Sequence, residues 1–492
     1  MIILVVCGVY CVRVLGLGVL RMSSPPDVPA RKRRRVLTVW TPEDQEFWAQ
    51  EGRAIANVNL WISIPALFLA FAVWQMWSVV AVNLPNLGFK YTENQLFWLA
   101  ALPALSGATL RIFYSFMVPV FGGRRWTALT TASLLLPTIG VGIAVQDPTT
   151  PYSTMLMLAL LCGLGGGNFS SSMSNISFFF PKERKGSALG LNAGLGNLGV
   201  SSVQFLAPLV ITMGVLGPWA GGSQMATLSG AHGGPAEVWA QNAAFIWVPF
   251  IIVVSMLAWV GMHDIATAKA SFSEQAVIFK RRHNWIMCFL YLGTFGSFIG
   301  FSAGFPLLIK YLYPDIRPLQ YAWLGPLVGA MARPFGGWLS DRLGGARVTF
   351  WTFFWMVLGV VGVMLSLPGG QSAGSFPGFL LSFLFLFFLT GIGNGSTFAM
   401  IPVIFNTLAQ RRHAAGSPVN AEAEGAKESA AVLGFSGAMG AYGGFFIPKS
   451  FGTSFDLTGG ADAALVFFIV FYAISIAVTW WFYARREAEI PC

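Results

Sequence analysis

Twelve apolar stretches constrain this chain more than any other feature of its sequence. They run over 58–82, 95–121, 126–146, 152–180, 186–213, 243–262, 285–312, 320–340, 347–367, 376–405, 429–451 and 463–484. Each holds the roughly 20 residues that a helix needs to cross a bilayer, and the longer ones imply tilt or extension beyond it. Inside hydrocarbon every backbone N–H and C=O must be satisfied within the protein, so such stretches are helices. Charged residues make up only 10% of the chain, against about 25% in soluble domains. No water-facing surface can be covered with so few, which excludes a soluble enzyme. The expected fold class is an all-α membrane protein, twelve transmembrane helices in two pseudo-symmetric six-helix halves. Its parts are a tail over 1–56, a half over 57–262, a linker over 263–284, a half over 285–484 and a tail over 485–492.

The net charge is +10. Its distribution argues for membrane topology and against nucleic acid, because the basic residues cluster in short segments between apolar runs. With the N-terminus of the first span in the cytoplasm, 23 of the 30 lysines and arginines fall on that side. Only Lys90, Lys310, Arg317 and Lys449 fall on the other. Both ends of the twelve-span body are therefore expected inside. Residues 1–20 are apolar but carry Arg13, with the basic run RKRRR following at 31–35. A weak extra span, a peripheral segment and translation from Met22 are the three readings, the last preferred. The polar stretch 41–59 reads as a short amphipathic helix at the membrane surface. Cys7, Cys11, Cys162, Cys288 and Cys492 form no CxxC pair, and His232, His263, His283 and His413 lie in loops or at span ends. Neither a disulfide framework nor a metal site is expected, and no cofactor.

The two groups of six spans repeat one another. Arg111 stands eleven residues before Gly122, and Arg333 eleven before Gly344, each in the second span of its half and each followed by GGRRWT or GGARVT. GGGNFSSSMSNISFFFP (165–181) matches GIGNGSTFAMIPVIFN (391–406), aligning Asn168 with Asn394 in the fourth spans. GLNAGLGNLG (190–199) matches GFSGAMGAYG (434–443), aligning Gly190, Gly196 and Gly199 with Gly434, Gly440 and Gly443 in the fifth. The second half carries a longer internal loop around 409–428. Three matches in one order predict two equivalent halves with a binding site between them.

Arg111 and Arg333 are the most informative single residues. All 20 acidic residues fall in tails, loops or span edges, so neither arginine has a carboxylate partner within the membrane. A charge at a span centre costs roughly 2.5–3.5 kcal/mol on insertion scales, and such residues line pathways. Each arginine lies about 16 Å along the helix from its internal loop, too far to snorkel. An arginine stays protonated, and its planar fork matches a planar oxyanion, so the missing counter-charge predicts an anionic substrate. The bland alternative is that both cap backbone carbonyls.

Other residues carry weaker signals. GGWLSDRLGGAR (336–347) holds Gly337, Asp341, Arg342 and Gly344; Asp341 could latch onto basic groups across its half or simply be solvated. Pro119 occupies the position matching Asp341 in the first half. Tyr291 and Phe295 lie one turn apart, for which packing is the better reading from spacing alone. Glycines in the fifth and eleventh spans, Gly196, Gly199, Gly440 and Gly443, could supply bending.

These residues resemble the major facilitator superfamily, and more specifically its nitrate/nitrite porter family, over roughly residues 57–484. The most distinctive matches are GGGNFSSSMSNISFFFPKERKGSALGLNAGLGNLG (165–199) and GIGNGSTFAMIPVIF (391–405), with ATLRIFYSFMVPVFGGRRWT (108–127) and LYLGTFGSFIGFSAGF (290–305). The first 21 residues match nothing in the family. The resemblance implies nitrate or nitrite bound between Arg111 and Arg333, aromatic walls at Phe169 and Phe398, and polar contacts from Asn197 and Tyr291. Phe295 would line the same site, with Asn168, Asn175, Asn192 and Ser436 as further contacts. It also implies a bacterial inner-membrane protein, monomeric, with no nucleic-acid partner.

Rocker-switch exchange of nitrate for nitrite is the expected mechanism. Proton-coupled nitrate import is the second reading, weakened because the span centres hold no titratable carrier beyond tyrosines and arginines. An anion sensor and a carrier of another small anion, such as formate, are further alternatives. No nucleophile–base pair or metal motif supports an enzyme.

Overall fold

Long uncharged runs can satisfy their own amides in lipid only by closing i to i+4 hydrogen bonds, and the described residues do this twelve times. The computed structural model describes residues 35–227, 234–266, 276–369, 374–416 and 420–492. The apolar segment 1–20, Arg31 to Arg34, His232 and Lys269 lie outside the described residues. In chain order the helices are α1 (Gln45–Leu87), α2 (Glu93–Tyr114), α3 (Gly123–Ala144), α4 (Tyr152–Phe179), α5 (Lys182–Val210) and α6 (Asn242–Gly261). The second set is α7 (Arg282–Leu312), α8 (Leu324–Leu343), α9 (Gly345–Ser366), α10 (Phe376–Ala414), α11 (residues 421–458) and α12 (Asp462–Ala484). Eleven are long and apolar enough to cross a membrane. The other, α8, is 20 residues long but carries Arg333, Asp341 and Arg342.

Burial separates central from peripheral helices. The apolar cores of α1 and α7 are 94% and 83% buried, while those of α6 and α12 are only 33% buried. Met256, Trp259, Phe467 and Val470 on these outer helices are half exposed or more. Such a belt of apolar side chains suits lipid and would be an aggregation surface in water.

The two halves repeat in detail. Gly122 has φ +84 and ψ 147; Gly344 has φ +88 and ψ 131. Both turn the chain into the next helix, at φ values that side chains with a Cβ rarely adopt. Close approach between helices also relies on glycine. A Cβ on Gly166 would stand 2.8 Å from the Cα of Gly107, drawing α4 onto α2, and one on Gly395 would stand 2.3 Å from the carbonyl oxygen of Arg333, drawing α10 onto α8.

Two expectations are corrected. The amphipathic segment at 41–59 is not a separate surface helix. It runs into α1, capped by Asp44 accepting from the N–H groups of Glu46 and Phe47. Its aromatic face finds protein, with Trp48 edge-on to Phe180 at 5.8 Å. The expected loop around 409–428 is largely helix. α10 runs to Ala414, and α11 starts at Ala421. Charge pairing supports this extension: Arg281 meets Glu428 at 2.6 Å, and Arg412 meets Glu428 at 2.8 Å and Glu424 at 3.2 Å. Short strands also occur, Val36–Leu37 beside Asp264–Ile265 and Gln224–Thr227 beside Pro235–Val238.

The glycines named for bending are packed differently from one another. α5 runs unbroken through Gly196 and Gly199, whose missing side chains admit Leu67 and the Phe68 carbonyl of α1. α11 breaks at Tyr442, between Gly440 and Gly443. A Cβ on Gly443 would meet the Cα of Gly296 at 2.3 Å, whereas one on Gly337 would meet nothing within 4 Å. Gly443→Ala should therefore destabilise the protein by about 1–3 kcal/mol, the usual cost of overpacking, and Gly337→Ala should leave it unchanged or slightly firmer. Thermal unfolding of the detergent-solubilised variants checks the contrast; equal melting temperatures would contradict it.

Candidate anion-binding site

Arg111 lies on α2 with no exposure to solvent. Its Nε donates to the Gly166 carbonyl at 2.8 Å, and its Nη1 donates to the Gly437 carbonyl of α11 at 2.8 Å. The second bond crosses from one half to the other. Nη2 has no hydrogen-bond partner. Three aromatic rings cover the guanidinium: Phe169, Trp74 and Phe295, with Cζ 4.7, 4.9 and 5.2 Å from their centroids. At such distances each ring attracts the cation by about 0.5–2 kcal/mol. The carbonyl-capping alternative is thus half realised: two nitrogens are capped and one is not.

Arg333 lies on α8 and is 9% exposed, which places it inside and not snorkelled to a surface. Its Cζ sits 5.3 Å from the Phe398 centroid, and its Nη1 has no partner. The Tyr291 hydroxyl is buried and lies beside the Arg333 guanidinium. Tyr291 precedes a π-helical turn at Leu292–Gly296 and Phe295 lies within it, the widened geometry that recurs at functional sites. Their rings stack at 5.4 Å. Phe295 continues to Phe169 at 6.4 Å, and Tyr291 to Phe398 at 6.2 Å. A wall of four aromatic residues thereby links one arginine to the other. Packing, the better reading from spacing, holds for Tyr291 and Phe295.

Neither arginine has a carboxylate within 4 Å among the described residues, whose ion pairs all involve other groups. Buried donors are almost always satisfied, so an unpartnered N–H on each of two buried cations calls for a physical explanation. The arrangement can take a small planar oxyanion, which offers negative charge to both guanidinium groups, acceptors to their free N–H groups and flat faces to the aromatic rings. Among the described residues no group of three His, Cys, Asp or Glu could hold a metal.

The other candidate residues are dispersed. Asn197 is buried, with an unpartnered side-chain oxygen. Asn168 lines a small polar cavity inside the first half with Thr127, Thr131 and Ser172. Asn192 donates to Ser172 at 2.8 Å, and Ser172 meets Ser63 at 2.8 Å, an internal network of the same half. The side chain of Asn175 abuts Gly123 at the α2–α3 turn. Ser436 meets the Cys288 sulfur at 3.6 Å. Asp341 and Arg342 are exposed; Arg342 stacks on Trp338 at 4.2 Å, and Asp341 forms no ion pair among the described residues. Trp74 and the carbonyls of Gly166 and Gly437 escape a reading of the sequence. Trp74 lies outside the three repeated stretches, and backbone acceptors leave no trace in residue type.

Comparison with known proteins decides the family. The sequence profile of the Major Facilitator Superfamily matches residues 1–204 and 66–448. A nitrate/nitrite transporter of Salmonella typhimurium, NarU, is 51% identical over 462 residues, spanning 93% of this chain and 98% of that protein. The Escherichia coli NarU is 49% identical over 466 residues with the same coverage. The chain belongs to the nitrate/nitrite porter family of the Major Facilitator Superfamily. A further relative of this porter, from Thermus thermophilus and named a probable nitrate/nitrite antiporter, NarK2, is 42% identical over 462 residues, 93% of this chain and 98% of its own. The crystal structure of a bacterial homologue of the lysosomal transporter Spinster, inward-facing and occupied, superposes with a TM-score of 0.58. It covers 89% of the porter and 97% of its own chain at 14% identity, which supports the shared fold alone.

Proposed function

We propose that this porter carries nitrate and nitrite across the bacterial inner membrane, held between Arg111 and Arg333. The single observation behind this is the pair of buried, carboxylate-free guanidinium groups, one from each half, each with an unpartnered N–H. Arginine from both halves makes the anion a bridge. It binds best when the halves converge on it, so its binding energy favours the occluded state through which alternating access passes. The flat aromatic wall favours a planar trigonal anion over a tetrahedral one. The end of the bundle expected to bear both ends of the described chain also carries most of the basic residues, which supports a cytoplasmic orientation for it. Exchange of external nitrate for internal nitrite is the preferred mode, consistent with the name of the Thermus relative. Proton-coupled nitrate import is the alternative. The porter is taken to act as a monomer.

Calorimetric titration of the purified protein tests the substrate class. Nitrate and nitrite should bind at one shared site and compete, while sulfate and phosphate should not displace them. Tight sulfate binding, or independent nitrate and nitrite sites, would overturn the assignment.

A further inference from the structure

Polar groups tie the two halves together at the outer face. Lys310 of α7 donates from Nζ to the Val82 carbonyl of α1 at 2.6 Å and to Asn86 Oδ1 at 3.1 Å. Lys449 of α11 donates to Asn94 Oδ1 of α2 at 3.0 Å and lies 4.9 Å from the Trp98 centroid. The Asn94 amide in turn donates to Asp456. Gln204 of α5 donates to the Ser302 carbonyl of α7 at 2.7 Å. Phe97 stacks on Phe455 at 5.9 Å beside them. On the cytoplasmic face the ion pair across the halves among the described residues is Lys182–Glu422, and both side chains are largely exposed. Open space there surrounds Gly186, Gly190 and Gly194 of α5 and Gly337 of α8. The outer gate is closed and the inner one loose.

Lys310 differs from Lys449 in its surroundings. Lys449 shares Asn94 with the carboxylate of Asp456. Lys310 is half-buried with neutral acceptors, and no carboxylate of the described residues lies within 4 Å. A desolvated ammonium so placed is under-compensated. Both of its acceptors belong to the opposite half, so opening the outer gate removes both at once. The charge then faces the entry passage, about 22 Å along α7 from Phe295 at 1.5 Å per residue.

We propose that Lys310 is an outer relay site for the transported anion, alternating with its role as a gate tie. This rests on the anion-carrier reading above. A monovalent oxyanion arriving from outside takes the place of the Val82 carbonyl and Asn86 on the ammonium. Gate closure returns Lys310 to those acceptors and releases the anion toward the arginines. The ammonium cannot serve both sets of partners, so external anion and the closed outer gate compete for it. An external anion therefore biases the porter toward its outward-open form.

Exchange kinetics in oriented vesicles test this, with the outer and inner anion varied separately. Lys310→Met should raise the external KM for nitrate about tenfold and leave the internal KM within twofold of wild type. Lys310→Arg, which keeps the charge, should restore most of the external affinity. Lys90→Met removes an exposed outer charge and should change neither KM. Melting temperatures confirm that each variant is folded; should Lys310→Met fail to fold, Lys310→Gln replaces it. An unchanged external KM in the Lys310 variant, or an equal rise for Lys90→Met, overturns the relay site. Absence of any nitrate or nitrite flux in wild type overturns the carrier reading instead, so the two failures are told apart.

Discussion

Arg333→Lys should abolish nitrate transport in a protein that still inserts and melts close to wild type. The substitution keeps a positive charge but replaces a rigid planar fork by a single flexible ammonium. The free Nη1 of Arg333 is the donor lost. A hydrogen bond to a charged partner contributes about 1.5–3 kcal/mol, so losing one from each anion costs about tenfold to hundredfold in affinity. In the proposed mechanism the loss recurs in the occluded state, with both arginines on the anion at once, and flux should fall at least about hundredfold. Arg111→Lys should be as inactive and also less stable. It gives up the Nε bond to Gly166 and the Nη1 bond to Gly437, the second of which joins the halves. Isotopic nitrate uptake into proteoliposomes, with a melting curve for each variant, checks both. Near-wild-type flux in either would remove the arginines from the binding site.

Nitrate uptake into proteoliposomes should require nitrite or nitrate inside and should ignore an imposed proton gradient. Two guanidinium groups converge when the halves close, and no carboxylate of the described residues offsets them. Like charges repel strongly where water is excluded. An anion between them removes the repulsion, and its departure restores it. The carrier should therefore cross between its two open forms with an anion aboard and stall without one. Internal nitrite should accelerate uptake by about tenfold or more over empty vesicles, a difference of about 1.4 kcal/mol in the barrier. Rapid uptake into empty vesicles driven by a proton gradient would favour symport and contradict this electrostatic account.

Much of the fold was legible because lipid leaves few options. Twelve apolar runs became twelve helices, and even α8 was placed, despite three charged residues that lower its apolarity. The repeat between Arg111–Gly122 and Arg333–Gly344 was legible because a left-handed turn at Gly122 and Gly344 demands the same residue type twice. The stretch between α10 and α11 was misread as a loop, and the helix beside α1 was set apart at the membrane surface. The helicity of the first is supported by partners distant in sequence, such as Arg281 for Glu424 at 3.4 Å and Glu428 at 2.6 Å. Composition near a span end does not reveal whether a charge meets water or another charge.

For the site, the sequence by itself determined which residue types could not be ordinary. Two arginines without a membrane-embedded acid are costly wherever the spans pack, because desolvating a cation is costly in any arrangement. It also determined, through its internal repeat, that the pair comes one from each half. Only the tertiary structure decided which neighbours complete the site. Trp74 beneath Arg111, the Gly437 carbonyl from the other half and the π turn that stacks Tyr291 on Phe295 are set by helix packing. The same packing sent Asn168, Asn175 and Asn192 elsewhere, into the first half's own interior and its α2–α3 turn. Charge and its cost are local properties of a residue; contact between residues hundreds of positions apart exists only once the helices have assembled.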